Sequence, residues 1–472
     1  MGRFVNLMRK EFIVILVMQL PPSPQIPRFI QRLQWVFNPL QLMETSAKTH
    51  GEFFTLRLTT ENPLVFISNT QAIQAIFTTP AEYFDAGRGN KLIQPLVGEN
   101  SLLLIDGETH QRQRKLLTPP FHGERMKAYA QIITHITKEV ISNWEIGKLF
   151  SVRDSMQEIS LRVILQAVFG LCEGERLTRL QKLLRSLLEL SGSPLRSAVT
   201  FFPILQIDLG AWSPWGIFLR QREEIHQLLY TEIQERRNNF DSSRSDILTL
   251  MMSARDENGE AMTDVELRDE LMTLLFAGHE TTASALTWAL YWIHHLPSVK
   301  EKLLTELNNV DENTDLNEVS RLPYLTAVCQ ETLRIYPIAM ITLPRMVKTP
   351  TTIMGYEFAP GTLLAPCIYL THRRPDLYPE PEKFKPERFL ERQYSQYEYI
   401  PFGGGNRRCI GMAFAMFEMK IVLATVLSNL ELSLANHHPV KPIRRGITLA
   451  PSGGKWLVAT GKRERVKIAL GV

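Results

Sequence analysis

The sequence predicts a mainly α-helical protein with a small β portion near its N-terminus. Strand-like runs are short, at Phe53–Leu58, Leu64–Ser68, Thr351–Tyr356 and Thr362–Ile368, and the last two predict a hairpin that turns at Glu357–Gly361. A long segment, 371–408, is rich in Pro, Arg and Gly and predicts an ordered coil, which is usually functional at this length. Helical periodicity or sustained helix-forming composition covers most of the rest, at 124–146, 153–170, 176–192, 216–238, 264–296, 298–308, 321–336 and 411–429.

Composition predicts one large folded unit rather than several domains. The chain has 472 residues and is 44% hydrophobic, which is ample for a sizeable core. No linker-like tract or repeat divides it, so we predict a single domain over 21–472 after an N-terminal extension, 1–20. The net charge of +4, from 53 basic and 49 acidic residues, gives no argument for nucleic acid as a partner. The four cysteines are scattered, which favours a reducing compartment and offers no zinc-like spacing.

The N-terminal extension contains a short apolar run, Phe12–Met18, preceded by Arg3, Arg9 and Lys10. A membrane span needs about 20 apolar residues, so this run is too short. It has the size of a signal-peptide core but no small-residue cleavage site follows it. An over-extended start, with Met18 as the natural first residue, is the other interpretation. We predict a cytoplasmic monomer with at most peripheral membrane contact.

The most informative segment runs from Phe402 to Gly411 and reads FGGGNRRCIG. Its glycines, including Gly403, allow a sharp turn and a close approach of backbone N–H groups to the thiol of Cys409. A following helix adds a positive potential that favours a thiolate, and a thiolate held this way suits one axial position of a haem iron. Phe402 is placed to shield the sulfur, and Arg407 to pair with an anionic edge of a cofactor. The alternative is a buried structural cysteine.

A second motif, Ala277-Gly278-His279-Glu280-Thr281-Thr282, lies inside the long apolar helix 264–296. Burying Glu280 and Thr281 there costs free energy unless they are paired or functional. Gly278 weakens a helix by about 1 kcal/mol relative to Ala, which favours a local opening. The alternative for Thr281 is a hydrogen bond to the carbonyl of Ala277 four residues earlier.

Two further groups are weak signals alone. Glu331 and Arg334 share one face of a helix, and Arg388 offers a second guanidinium to the same carboxylate. The alternative is an ordinary surface ion pair. His110 and Arg114 also share a helix face, where a solvated polar surface is the alternative; with Arg345 and Arg407 they would supply cationic or hydrogen-bonding groups from three segments.

These segments, in this order, resemble the cytochrome P-450 superfamily of haem-thiolate monooxygenases over nearly the whole chain. The resemblance implies that haem b lies between the long oxygen-side helix and the helix after the cysteine loop, with Cys409 as the axial ligand of the iron. It implies Thr281 and Glu280 as the catalytic residues that deliver protons during oxygen activation. The cofactor-binding residues it implies besides Cys409 are His110, Arg114, Arg345, Arg407, Phe402, Gly403, Gly411, Ala277 and Gly278, and the structural triad is Glu331, Arg334 and Arg388.

The resemblance also implies a reaction class. His110 stands where many long-chain members carry Trp, which is similar to soluble bacterial members, whereas the Pro-rich opening and Glu280 are similar to the fatty-acid branch. That mixture is similar to soluble cyanobacterial members acting on fatty acids or terpenoids. It implies hydroxylation or epoxidation of a hydrophobic substrate with O2 and two electrons. A haem-thiolate peroxygenase or isomerase, or a non-catalytic haem sensor, is the alternative, and the Glu280–Thr281 pair argues against both.

The substrate and the electron donor are predicted only by class. By resemblance, the substrate faces the mostly apolar segments Ala86–Leu103, Phe276-Ala277, Ile338–Leu343 and Ser452–Gly454, and residues near Phe201-Phe202; core packing is the alternative. No flavin or iron–sulfur segment is evident, so a separate ferredoxin or flavodoxin-type protein is predicted to supply electrons. Candidate docking cations are Arg112, Arg408 and Lys420, and an ordinary basic surface explains them almost as well.

Overall fold

The computed structural model describes residues 20–59, 62–121, 125–170, 174–190, 205–310, 314–436 and 438–463. Most of these residues are helical, and shorter turns of helix connect the main elements. The helices of seven or more residues are α1 (Arg28–Phe37), α2 (Pro39–His50), α3 (Thr70–Thr78), α4 (Gly107–Leu117), α5 (Arg125–Ser142), α6 (Val152–Phe169), α7 (Glu175–Leu190), α8 (Pro214–Asn238), α9 (Ile247–Ser253), α10 (Asp264–His295), α11 (Pro297–Asn308), α12 (Pro323–Ile335) and α13 (Met412–Asn429).

Short strands form four small sheets in the described part of the chain. Five strands form the largest sheet, in the order β1-β2-β8-β5-β3, and only its β2–β8 pair is parallel. A three-stranded sheet has the order β4-β12-β9, and β6–β7 and β10–β11 are hairpins. The strands are β1 (Phe53–Leu56), β2 (Leu64–Ile67), β3 (Phe84–Asp85), β4 (Leu149–Ser151), β5 (Arg345–Val347), β6 (Thr351–Ile353), β7 (Tyr356–Phe358), β8 (Leu363–Pro366), β9 (Leu430–Leu434), β10 (Pro442–Arg445), β11 (Thr448–Pro451) and β12 (Lys455–Lys462).

The 32-residue helix α10 is the centre of the helical core. It packs against α6, α8, α12 and α13, and α5 in turn packs against α6 and α13. Its N-terminus is fixed by a capping box, in which Thr263 and Glu266 satisfy each other's backbone N–H groups. Pro297 begins the next helix, so α10 ends at His295. A helix held along this length places its middle residues precisely.

A second core lies under the five-stranded sheet. Phe54 and Phe66 stack with ring centroids 5.1 Å apart, and Trp35 from α1 meets Phe66 edge to face. Phe77 of α3 belongs to the apolar cluster on the other side of this sheet. The packing against this sheet therefore places α3 next to the loop that carries Cys409. Helix α3 contacts that loop at residues 405–407.

The mainly α prediction is confirmed, and the predicted helices agree with the observed ones to within about four residues at each end in the described ranges. The coil over 371–408 is also confirmed, apart from short turns at Arg388–Glu391 and Gly405–Arg407. The predicted helices did not include α1, α2, α3 or α9, and α4 was anticipated only as the helix face shared by His110 and Arg114. It also missed the C-terminal strands, and the largest sheet is not confined to the N-terminus.

The predicted hairpin between 351–356 and 362–368 is wrong. The chain turns earlier, at Met354-Gly355, where both residues have positive φ, 50° and 83°. That two-residue turn has the sense required to join strands of normal twist, so β6 pairs with β7. Residues 363–366 instead enter the largest sheet beside β2. Met is an unusual residue for this conformation, which is why the sequence concealed the turn.

One helix among the described residues, α13, is long and apolar enough to cross a membrane by length and composition alone. In the structure 61% of it is buried, and its neighbours include α5, α10 and α12. Burial against other helices accounts for its apolar composition.

Candidate active site

The loop before α13 fixes the position of Cys409. Gly403 and Gly405 have φ of +66° and +62°, a region that glycine adopts without strain. A Cβ on Gly404 would lie 2.2 Å from the ring of Phe77, so α3 supports the loop from below. The N–H of Cys409 donates to the carbonyl of Phe402 at 2.9 Å and closes the loop. Helix α13 begins at Met412, three residues after Cys409.

The thiol of Cys409 is accessible, although protein surrounds it closely enough for burial to raise its pKa. The N–H of Gly411 and the cations Arg114 and Arg408 act in the opposite direction and favour the thiolate. Cys329 and Cys367 are fully buried, and burial raises the pKa of each thiol to about 12. Of the three cysteines that the structure describes, Cys409 is the one suited to bind a metal ion; Cys172 lies outside the described residues.

The predicted cationic residues do come together. His110 on α4 is buried, and burial together with the charges of Arg407, Arg114 and Arg345 lowers its pKa to about 3. Burial and the neighbouring Arg407 lower the pKa of Arg345 to about 9. Burial likewise lowers the pKa of Arg407 to about 10, with a further contribution from Arg114. Three chain segments thus bring positive charge into one buried region.

Little within the described protein compensates this charge. Arg345 donates to the carbonyls of Leu343 at 2.8 Å and Gly404 at 3.2 Å. Arg407 pairs with the carboxylate of Asp106 at 2.5 Å, and the buried Nε2 of His110 has no hydrogen-bond partner among the described residues. One carboxylate against three guanidinium groups leaves a site that fits a ligand with two negative charges.

The middle of α10 presents an unpacked face. Ala277 is exposed although most of its neighbours on the helix are buried, and Thr281, one turn later, is half-buried. The hydroxyl of Thr281 donates to the carbonyl of Ala277 at 2.6 Å, the alternative that the sequence had left open. Gly278 faces α6 instead, since a Cβ there would lie 3.2 Å from Cδ1 of Ile164. This glycine allows close helix packing, and α10 has no break at it.

Glu280 is held by α6. Its carboxylate accepts from Nη2 of Arg153 at 2.5 Å and from Nε2 of Gln157 at 2.8 Å. Both side chains are largely buried, with only 12% of Glu280 and 7% of Arg153 exposed. Sequence reasoning paired Glu280 only with Thr281 and missed both α6 residues, which lie more than a hundred positions away and carry no motif.

Glu331, Arg334 and Arg388 form a buried ionic network. Arg334 donates to both oxygens of Glu331, at 2.6 and 2.8 Å, and Nε of Arg388 lies 3.1 Å from the same carboxylate. Glu331 and Arg334 are completely buried. The surface ion pair that the sequence allowed is therefore excluded.

This network organises the coil before the cysteine loop. The N–H of Lys385 donates to Glu331 at 2.8 Å. Arg334 donates to the carbonyls of His372, Pro381 and Lys383. Further along, the hydroxyl of Tyr399 donates to the carbonyl of Gln330 on α12 at 3.0 Å. The path of the backbone toward Cys409 is thus set by α12.

The remaining predicted loop residues border open space. Phe402 is half-buried and packs against the helical core. A Cβ on Gly411 would meet nothing within 4 Å, and one on Gly403 would approach only Thr342 and the Arg407 carbonyl, at 3.8 to 4.0 Å. Space next to Cys409 is therefore left for a group that the protein itself does not supply.

Two of the three candidate docking cations are not free surface charges. Arg112 pairs with Asp256 at 2.5 Å and Glu266 at 3.0 Å. Lys420 is half-buried, and burial lowers its pKa. Arg408 is exposed beside the cysteine loop.

A helical protein that presents an accessible cysteine beside a buried cationic cluster has the construction of a haem-thiolate protein. The family model described as Cytochrome P450 matches residues 20–458. The chain belongs to the cytochrome P450 family. As such it is an oxygen-incorporating oxidoreductase that uses a thiolate-ligated haem, O2 and a redox partner.

Relatives match over nearly their whole length. Cytochrome P450 135B1 of Mycobacterium tuberculosis is 36% identical over 448 residues, 95% of this chain and 93% of the relative. Cytochrome P450 138 of the same organism is 32% identical and covers 94% of this chain and 96% of its own. Retinoic acid-bound cyanobacterial CYP120A1 is 25% identical with a TM-score of 0.81, over 94% of this chain and 100% of that one. The haem domain of cytochrome P450DA, 23% identical, has the same fold with a TM-score of 0.80, over 94% and 98% of the two chains.

We predict that Glu331→Gln lowers the free energy of unfolding by about 3 kcal/mol or more, because it leaves two buried guanidinium groups without their counter-charge. Urea unfolding followed by circular dichroism measures the effect. Glu382→Gln is the matched control, since Glu382 pairs with Arg373 on the same coil but its side chain is 73% exposed. Equal losses in the two variants would contradict the assignment of the buried network as the stabilising element.

Proposed function

We propose that this chain hydroxylates or epoxidises a hydrophobic substrate, such as a fatty acid or a terpenoid, as a haem-thiolate monooxygenase. The observation that carries the haem assignment is the accessible Cys409 thiol together with the undercompensated cluster of His110, Arg114, Arg345 and Arg407. A thiolate ligand and a dianionic edge are the two features by which a protein grips haem b. We assign Cys409 to the iron and the cluster to the propionates.

The bound haem would supply the oxygen chemistry, and the residues of this chain would orient, shield and provide protons. Cys409 is held by the hydrogen bond of its N–H to the Phe402 carbonyl, and we assign the half-buried Phe402 side chain to shielding the sulfur. We place the haem between α10, where Ala277 is exposed, and the loop before α13, where Gly403 and Gly411 have no close neighbours.

Thr281 and Glu280 are the proposed proton carriers. The Thr281 hydroxyl donates a hydrogen bond to the Ala277 carbonyl, so its oxygen lone pairs are free to accept a hydrogen bond from water on the open face. Glu280 lies next in sequence but its carboxylate is bound to Arg153 and Gln157. To pass a proton toward Thr281, the Glu280 side chain has to leave Arg153, and Arg153 therefore competes with the proton path.

The substrate class rests on apolar segments and on one relative. Ile338 is buried in the helical core and Met340 under the five-stranded sheet, and the 452–454 turn adjoins the start of α6 through the carbonyl of Gly454. The solved relative CYP120A1 binds retinoic acid, an isoprenoid carboxylic acid, which supports a terpenoid or fatty acid here. Phe201 and Phe202, also predicted to face the substrate, lie outside the described residues.

Electrons are proposed to come from a separate ferredoxin or flavodoxin-type protein that docks near Arg408. The exposed Arg408 borders a surface pocket beside the cysteine loop, which suits an acidic partner. Other residues lining this pocket are Gln330, Gln396, Tyr399, Pro401, Met412 and Met416. We further propose a single domain over 21–472 that works as a monomer in the cytoplasm, with any peripheral membrane contact made by 1–20.

The haem assignment predicts that reduced wild-type protein with CO shows the red-shifted Soret band of thiolate-ligated haem and that Cys409→Ser loses it. Absorption spectra of the purified holoproteins measure this. Cys367→Ala, which removes a buried thiol elsewhere, should retain the band. A band that survives in Cys409→Ser would refute the ligand assignment.

The substrate proposal predicts that long-chain fatty acids or terpenoid acids shift the spin state of the ferric haem by displacing water. A titration panel of fatty acids, terpenoids and alkanes, followed by absorption spectroscopy, tests this. Polar molecules such as sugars and nucleosides serve as controls. A response confined to the polar molecules would overturn the proposed substrate class.

The proton-delivery proposal predicts that Thr281→Ala lowers product formed per electron pair by about 10-fold or more, while reductant consumption continues and peroxide accumulates. The matched control is Thr287→Ala on the same helix, because Thr287 makes the same 2.6 Å bond to a carbonyl four residues back but is fully buried. Unchanged coupling in Thr281→Ala would remove this residue from the proton path.

A further inference from the structure

Residues 98–106, here called the bridging loop, connect the oxygen-side helix α10 with the cysteine loop. On the α10 side the loop meets a pair of buried acids, Asp269 and Glu270, which are 0% and 1% exposed. Neither acid belongs to the haem-binding or proton-delivery groups described above.

Asp269 holds the start of the bridging loop. Its carboxylate accepts from the backbone N–H and from the side-chain amide of Asn100, both at 3.0 Å. Gly98 has a φ of +84°, and a Cβ there would lie 2.1 Å from the Asp269 carboxylate. Glycine is required because the backbone passes directly over the acid. Arg268 balances the charge of Asp269 with a hydrogen bond of 2.8 Å.

Glu270 holds the middle of the same loop. One of its oxygens accepts from the N–H of Leu102 at 2.7 Å. One turn along α10, the hydroxyl of Thr273 lies 2.7 Å from the hydroxyl of Ser101. Three consecutive loop residues are thus bound to α10, two of the bonds through backbone N–H groups and two through the side chains of Asn100 and Ser101.

The other edge of the bridging loop is bound to the cationic cluster. Arg407 donates to the carbonyls of Leu102 at 2.9 Å and Ile105 at 2.6 Å. The N–H of Leu102 is therefore bound to α10, and its carbonyl is bound to Arg407, two residues before Cys409. The loop spans the space between the two elements that enclose the proposed haem site.

We propose that Asp269 and Glu270 are positioning residues that hold the bridging loop closed over the active site and thereby limit the size of molecules that reach the haem iron. This inference rests on the proposed function for the identity of the site beneath the loop. The two acids contact neither substrate nor cofactor in this assignment and act through the loop backbone.

The test compares two iron-binding probes of different size, imidazole and 4-phenylimidazole, on the ferric holoprotein. Association rates are measured by stopped-flow absorption of the Soret band. We expect the rate ratio of 4-phenylimidazole to imidazole to rise by about 5-fold or more in Asp269→Asn/Glu270→Gln, because the hydrogen bonds that close the loop are weakened. Asn100→Ala, which leaves α10 intact, should move the ratio in the same direction by less.

Glu306→Gln is the matched control. Glu306 also accepts two backbone N–H groups, from Tyr324 at 2.7 Å and Leu325 at 2.8 Å, but these belong to α12 and lie outside the bridging loop. It should leave the rate ratio unchanged. Hydrogen exchange of the peptide covering 98–106 should accelerate in the Asp269 and Glu270 variants and not in Glu306→Gln.

Two failures are distinguishable. Unchanged loop exchange and an unchanged rate ratio in Asp269→Asn/Glu270→Gln, in protein that retains its CO band, would overturn the anchor. A wild-type protein without the thiolate band would overturn the proposed function, and with it the claim about access to iron.

Discussion

The buried carboxylate of Glu331 is the interaction on which the rest of this structure depends. It binds two guanidinium groups and the backbone of the coil at Lys385. An ionic network without exposure stabilises only when its geometry is complete, and here the arginines also satisfy carbonyls that a coil would otherwise leave unpaired. The long segment before Cys409 is held without regular secondary structure partly because α12 provides hydrogen bonds to it.

The cationic cluster near the cysteine loop differs from the Glu331 network, because its positive charge is not balanced within the described protein. Arg345 and Arg407 are buried beside a single carboxylate, that of Asp106, and burial lowers the pKa of both guanidinium groups. A ligand with two negative charges, such as the proposed haem, would compensate this charge, and binding it would stabilise the folded protein.

Features fixed by local chemistry could be predicted from the sequence. The glycines around Cys409, the helical periods and the Glu331–Arg334 spacing all act within a few residues. The partners of Glu280 could not be predicted, because Arg153 and Gln157 reach it only through the packing of α6 on α10. The pairing of Arg112 with Asp256 was hidden for the same reason. The hairpin prediction was wrong because Met354 adopts a conformation that its residue type disfavours.

Phe77 gives the cysteine loop a foundation outside the helical core. Its ring fills the place of a side chain at Gly404, and its carbonyl lies 2.6 Å from where a Cβ of Gly405 would be. Phe77 itself is packed in the cluster on the opposite side of the largest sheet from Trp35 and Phe66. The position of the Cys409 sulfur therefore depends on the packing of the largest sheet, whereas the position of α10 depends on the helical core. In the proposed haem site, the distance between the cysteine loop and α10 is then set by how the sheet packs on the helical core, and a change deep in either core would alter the width available to the cofactor.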